Sequence, residues 1–266
     1  MLKDITLGQY YQTDSIIHRL DPRVKLTATI IYIISLFVVR NFWGYIIVAL
    51  FLALTIKLSN VPFKFMIKGM RAILFLLILT VFFNLFLTPG DVIFSIWKIS
   101  ITKQGLETAI KMATRLSFLI IGSSVMTLTT TPNNLTDGLE SILNPLKKVK
   151  VPVHEVSMMM SIALRFIPIL MEETDKIMKA QIARGADFES GNLIKKAKSL
   201  VPLLVPLFIS AFRRANDLAM AMEARCYRGG EHRTKMKPLV YKKRDYISYL
   251  FVFCYLVVCI VIGSMF

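Results

Sequence analysis

The apolar positions of this chain fall into runs too long to fold back onto one core. A helix crossing about 30 Å of hydrocarbon needs about 20 mostly apolar residues at roughly 1.5 Å each. Five stretches come close: residues 26–39, 42–58, 72–87, a fourth within 106–130, and 246–265. Arg40 and Asn41 alone part the first two, which therefore read as a tight helical hairpin, and the third ends at the breaker Thr88-Pro89-Gly90. Between the fourth and fifth runs, apolar stripes alternate with charge at helical spacing. Leu135, Leu139, Ile142 and Leu143 form one such stripe, stopped at Asn144-Pro145. A second helix begins near Val153, carries Met158, Met159, Met160 and Met171, turns charged at Glu172-Glu173 and meets Arg184-Gly185; Pro168 predicts a bend within it. A third starts near Ala197, passes Pro202 and Pro206, and reaches Arg225 shortly before Gly229-Gly230. The pattern predicts an all-α membrane protein: four spanning helices in 1–131, a cytoplasmic domain of about three helices in 132–244, and a fifth span in 245–266.

Composition agrees. The 266 residues are 55% hydrophobic and 19% charged, with mean hydropathy +0.58, whereas a soluble domain carries about 25% charged and 45–50% apolar residues. Lipid is the solvent that accommodates the excess. The 33 Lys+Arg against 17 Asp+Glu, a net +16, would suggest nucleic acid on a soluble chain, but no aromatic-interleaved basic face accompanies them. Their placement follows the orientation rule of membrane proteins instead. Lys57, Lys64, Lys68 and Arg71 share the second loop with no acid, and Lys3, Arg19, Arg23 and Lys25 precede the first span, whereas the hairpin tip has only Arg40. The N-terminus and second loop are expected inside, and five spans then put the C-terminus outside. Residues 132–244 hold 20 cations against 11 acids, so the basic excess sits mainly in the cytoplasmic element. Lys98 and Lys103 depart from the rule, and Lys111 and Arg115 enter the fourth span. The runs Lys195-Lys196-Ala197-Lys198 and Lys242-Lys243-Arg244 read as anchors at the lipid surface.

Catalytic and metal chemistry find little foothold. Residues 1–25 are too polar for a secretory signal. Cys226, Cys254 and Cys259 have neither disulfide-framework nor zinc spacing. His154-Glu155 is followed by Met158 where H-E-x-x-H needs a second histidine, and His18 and His232 have no ligand-spaced companions. An intramembrane enzyme would need ionisable residues in its spans, yet Asn84 stands almost alone in the third, and Glu107, Lys111 and Arg115 gather at one end of the fourth. No G-x-x-x-x-G-K-[ST] is present for nucleotide chemistry. A membrane scaffold with a basic cytoplasmic platform stays open as a first alternative and an intramembrane enzyme as a second.

Two helices of the cytoplasmic element end alike, Ala183-Arg184-Gly185 and Ala224-Arg225-Cys226, with the arginines 41 positions apart. Each arginine stands at a helix tip, where it is either an ordinary cap at a lipid-head interface or a fork for carboxylates on a partner. Ala211, Ala215 and Ala219 repeat every four residues, the small-xxx-small spacing that lets two helices cross closely. Arg214 and Asp217 are spaced for a local pair. The methionines Met158, Met159, Met160, Met171 and Met222 suit either core and lipid packing or an adaptable binding surface.

Four segments carry a resemblance over most of the chain: Arg165-Phe166-Ile167-Pro168, Ala180-Gln181-Ile182-Ala183-Arg184-Gly185, Pro202-Leu203-Leu204-Val205-Pro206-Leu207-Phe208, and Arg214-Ala215-Asn216-Asp217-Leu218-Ala219-Met220-Ala221-Met222-Glu223-Ala224-Arg225. In these the chain resembles the transmembrane component of energy-coupling factor transporters, the EcfT/CbiQ family. The resemblance implies that Arg184 and Arg225 cap two coupling helices crossing in an X, each docking on one of two ABC-type ATPase subunits that bring ATP and Mg. No cofactor is then expected on this chain. It further implies a prokaryotic plasma-membrane protein that energises an exchangeable integral-membrane subunit binding vitamins or other micronutrients, with tentative contacts at the methionines above. Cys226 departs from the family motif, which often has glycine there, so the stop of that helix is expected to lean on Gly229 and Gly230.

Overall fold

Asp21 and Pro22 set the start of the first helix. In the computed structural model the Asp21 carboxylate accepts the Arg23 backbone N–H at 2.9 Å, and Pro22 occupies the first turn, where a missing N–H costs nothing. Helix α1 spans Pro22–Val38, α2 Phe42–Ser59 and α3 Phe63–Leu87. An antiparallel hairpin follows, β1 (Val92–Ile96) with β2 (Ile99–Thr102), in register at Ser95 and Ser100. The all-α pattern of the sequence predicts no strands there. Thr102 caps α4 (Lys103–Thr129), its hydroxyl accepting the Gly105 N–H at 3.0 Å. Then come α5 (Pro132–Leu143), a 3-10 turn (Asn144–Val149), α6 (Val153–Ala183), α7 (Val201–Ala224) and α8 (Lys243–Met265). The structure describes residues 10–39, 41–96, 99–186, 188, 192, 194, 198–230, 236 and 238–265. Expectations placed on Lys3, Arg40, Lys98, Lys195, Lys196, Ala197, His232 and the side chains of Lys68 and Arg71 lie outside the described residues.

Two compact units emerge, Gly8–Ile142 with Leu239–Phe266, and Leu143–Pro238. The first gathers α1 to α4, α5 and α8. Helix α5, expected in the cytoplasmic domain, belongs here because Gly138 lets it lie against α1; a Cβ at that position would stand 3.0 Å from Pro22 and 3.2 Å from Leu26. The core of this unit joins Tyr32 and Leu36 of α1, Val48 and Leu52 of α2, Val125 of α4, and Tyr255 and Cys259 of α8. Gly122 makes the α1–α4 approach possible, since any Cβ there would sit 2.2 Å from the Tyr32 ring. Tyr32, Ser35 and Tyr255 find partners for their hydroxyls inside this core, as an apolar medium favours. The Tyr32 hydroxyl donates to the Phe118 carbonyl at 3.0 Å, and Ser35 and Tyr255 hydroxyls share a bond of 2.7 Å. Outside this core Trp43, Leu50, Phe75, Phe82, Leu250 and Phe253 are exposed, an apolar exterior suited to lipid.

Contacts at the two ends fix the relative directions of three helices. Lys25 Nζ donates to the Thr129 carbonyl at 2.8 Å, and the Asp21 N–H to Asp245 Oδ1 at 3.0 Å, so the starts of α1 and α8 meet the end of α4. At the other end Gly263 lies beside the Val38 carbonyl. Helices α1 and α8 are therefore parallel and α4 runs against them. Among the described residues four helices are long and apolar enough to cross a membrane: Phe42–Ser59, Lys103–Thr129, Val153–Ala183 and Lys243–Gly263, with Ile73–Leu87 a shorter apolar stretch. Thus α6, read from sequence as cytoplasmic, meets the length and composition of a span through its Met-rich first half. Helix α1, read as a span, is not among these four and has 17 residues.

A candidate docking site at two helix tips

Helix α6 runs unbroken from Val153 to Ala183 through Pro168, and its end is built by Gly185. Arg184 stands at the cap with φ −88° and ψ 5°, and Gly185 takes φ +88°, the left-handed region open to glycine. The Gly185 N–H then donates to the Ile182 carbonyl at 2.9 Å, and the Ala186 N–H to Gln181 at 3.0 Å. This is a complete Schellman cap, closing two carbonyls the last turn leaves open.

Helix α7 ends with the same bonds. Arg225 has φ −91° and ψ 13°, the Cys226 N–H donates to Glu223 at 2.8 Å, and the Tyr227 N–H to Met222 at 3.0 Å. Cys226 itself takes the left-handed conformation, φ +56°. The expectation that Gly229 and Gly230 would stop this helix is therefore corrected: the turn closes three residues before Gly229, with a cysteine doing what glycine does in α6. A side chain in that region costs about 1–2 kcal/mol, which the two cap bonds offset. Identical caps hold both arginines in the same frame relative to their helix axes. Both are exposed, as are Ala183, Gly185, Ala224 and Cys226, and neither arginine makes an ion pair among the described residues.

The two helices are clasped by a residue that sequence reasoning passed over. Glu173 of α6 accepts the Ser210 hydroxyl at 2.5 Å, and its Oε2 accepts both Nε and Nη2 of Arg214 at 3.2 and 2.8 Å. Arg214 therefore pairs across to α6, correcting the expected local pair with Asp217. Lower down, the Gln181 amide reaches the Pro202 carbonyl at 3.5 Å. Residue 173 facing 210 and 214 while 181 faces 202 makes α6 and α7 antiparallel. Arg184 then lies about 16 Å beyond Glu173 in one direction, and Arg225 about 20 Å beyond the clasp in the other, at roughly 1.5 Å per residue.

The alanine repeat takes no part in this clasp. Ala211 is half-buried and Ala215 and Ala219 are exposed, while the side of α7 turned inward carries Leu203, Ser210, Arg214 and Leu218. Each alanine follows Ser210, Arg214 or Leu218 by one residue, which turns it about 100° away from the contact face that those three define. The methionines divide as well: Met159 and Met160 are exposed, whereas Met158, Met171 and Met222 are half-buried. No group of three or more His, Cys, Asp or Glu converges to hold a metal among the described residues.

Residues 13–236 match the family model described as Cobalt transport protein, CbiQ. The chain is also similar to proteins named energy-coupling factor transporter transmembrane protein EcfT. That of Clostridium kluyveri is 58% identical over 99% of this chain and 98% of its own length, that of Ruminiclostridium cellulolyticum 55% over 92% of each, and that of Bacillus subtilis 48% over 92% and 93%.

Proposed function

The chain belongs to the family of energy-coupling factor transporter transmembrane proteins, and from that premise we propose that it passes the closure of two ABC-type ATPase subunits to a substrate-binding membrane subunit. ATP and Mg reside on the ATPases, and this chain contributes no nucleotide chemistry. Its cargo, carried by the other membrane subunit, is a vitamin or another micronutrient. One observation supports the reading above all: two identically capped, exposed arginines at opposite ends of an antiparallel helix pair. A guanidinium on a rigid helix end can take a carboxylate with two parallel bonds, and a partly desolvated pair of that kind transmits movement without slipping. Tips at opposite ends suit two ATPases, one each, and the Glu173 clasp lets a push on one helix be felt by the other. Met159 and Met160 are the candidates of the methionine set for contact with the substrate-binding subunit.

In this reading residues 143–238 form the coupling domain, the chain is a multi-pass protein of the cell membrane, and the N-terminus is cytoplasmic with the C-terminus outside. The orientation is supported by Arg23, Lys25, Lys242, Lys243 and Arg244, which crowd the end of the bundle where α1 and α8 begin. Uptake in cells tests the docking role. Arg184→Glu with Arg225→Glu abolishes transport while leaving membrane insertion intact, and unchanged uptake would refute it. A reporter fused after Phe266 reads outside; a cytoplasmic signal there removes the proposed orientation.

A further inference from the structure

A cavity of about 430 Å³ lies within the spanning unit, among α1, α2, α4 and α8. Its body is apolar, walled by Tyr32, Leu52, Val125 and Val252. That volume falls in the range of small-molecule sites, roughly 300–1,000 Å³. One end differs in kind. Lys25 and Arg244 both line it and lie close enough to repel one another. Lys25 is only 8% exposed, and its ammonium gives two of its three N–H groups to the carbonyls of His18 and Thr129. Arg244 Nε is buried and finds no acceptor among the described residues. The nearby acids are already engaged: Asp21 holds Arg23 through two bonds, and Asp245 accepts the backbone N–H groups of Asp21 and Lys242. Asp21 still attracts Lys25, but the three cations Arg23, Lys25 and Arg244 outnumber the two acids Asp21 and Asp245 at this end, and that excess is costly beside an apolar cavity.

We infer that this cavity binds one anionic glycerophospholipid, an acyl chain in its apolar body and the phosphate between Lys25 and Arg244. The bilayer around the spans supplies that ligand directly. Inorganic phosphate would answer the cations but leave the apolar body unfilled. A zwitterionic lipid would fill the body but bring a cation of its own to the mouth. The inference rests on the spanning unit alone and stands apart from the docking of ATPases.

Native mass spectrometry of the full chain in detergent micelles tests it, with phosphatidylglycerol, phosphatidylcholine of the same acyl chains, or inorganic phosphate added. The expected result is one retained phosphatidylglycerol, in preference to phosphatidylcholine, undisturbed by excess phosphate. Arg244→Gln weakens that binding about fivefold, the worth of one cation beside an anionic lipid, while Arg244→Lys retains it. Ser248→Phe, which fills the cavity wall and leaves both cations in place, displaces the lipid by a separate route. Should Arg244→Gln fail to fold, Ser248→Phe still decides. Equal retention of the two lipids, phosphate bound in place of lipid, or lipid retained in Ser248→Phe would each overturn the proposal.

Discussion

Removing the Glu173 carboxylate opens the clasp between α6 and α7, and its cost can be built from the bonds it makes to Ser210 and Arg214. The Ser210 hydroxyl donates to a charged acceptor at 2.5 Å, a class of bond worth about 1.5–3 kcal/mol. The Arg214 leg is weaker than its 2.8 Å suggests, because the two side chains are 40% and 24% exposed; pairs so open to water contribute about 0.5–1 kcal/mol. Glu173→Ala should therefore lower the unfolding free energy of the full chain by about 2–4 kcal/mol. Denaturant titration in detergent micelles, run as double-mutant cycles, separates the parts. Glu173→Ala with Ser210→Ala should couple by about 2 kcal/mol, and Glu173→Ala with Arg214→Ala by no more than about 1 kcal/mol. Arg214→Ala with Asp217→Ala should couple negligibly. Coupling of Arg214 to Asp217 as strong as its coupling to Glu173 would refute the clasp, as would additivity between Glu173 and Ser210.

The caps give opposite outcomes at equivalent positions. Cys226→Gly relieves a left-handed side chain and should stabilise the end of α7 by about 1 kcal/mol, whereas Gly185→Ala imposes one on α6 and should cost about 1–2 kcal/mol; melting of the purified chain reads both. His18 predicts a pH dependence. Burial lowers its pKa below the ordinary 6.5, opposed by the bond to the Tyr11 carbonyl and helped by Lys25. The folded state thus binds its proton less readily than the unfolded one, so stability is full above that ordinary value and falls as pH drops through it. His18→Gln should flatten that fall in a thermal-shift series from neutral to mildly acidic pH.

Much of the architecture was legible because lipid writes a coarse code. Long apolar runs parted by Asn41 and by Thr88-Pro89-Gly90 appear as α2, α4 and α8 near their expected limits and as α3, which ends where expected but begins nine residues earlier, at Phe63. The helix tips were equally plain, since Gly185 after Arg184 carries the cap in its own chemistry. What escaped were features that depend on partners distant in sequence. Glu173 reads as the start of a charged turn, and nothing local says that its acceptor capacity is spent 37 and 41 residues away. Cys226 escaped for another reason: hydrogen bonding can hold a side chain in a conformation that propensity disfavours. The placement of α5 turned on one missing Cβ at Gly138, visible only once α1 lies against it. The alanine spacing was real, but spacing alone does not say which face meets a neighbour.

The most direct measurement places a photo-crosslinking side chain at position 184, and separately at 225, in the complex assembled with its ATPase subunits. The account predicts an adduct to a nucleotide-binding subunit from each position, both lost when the neighbouring Ala183 or Ala224 is replaced by a bulky residue. Adducts to lipid alone, or to ATPase from only one of the two tips, would contradict it.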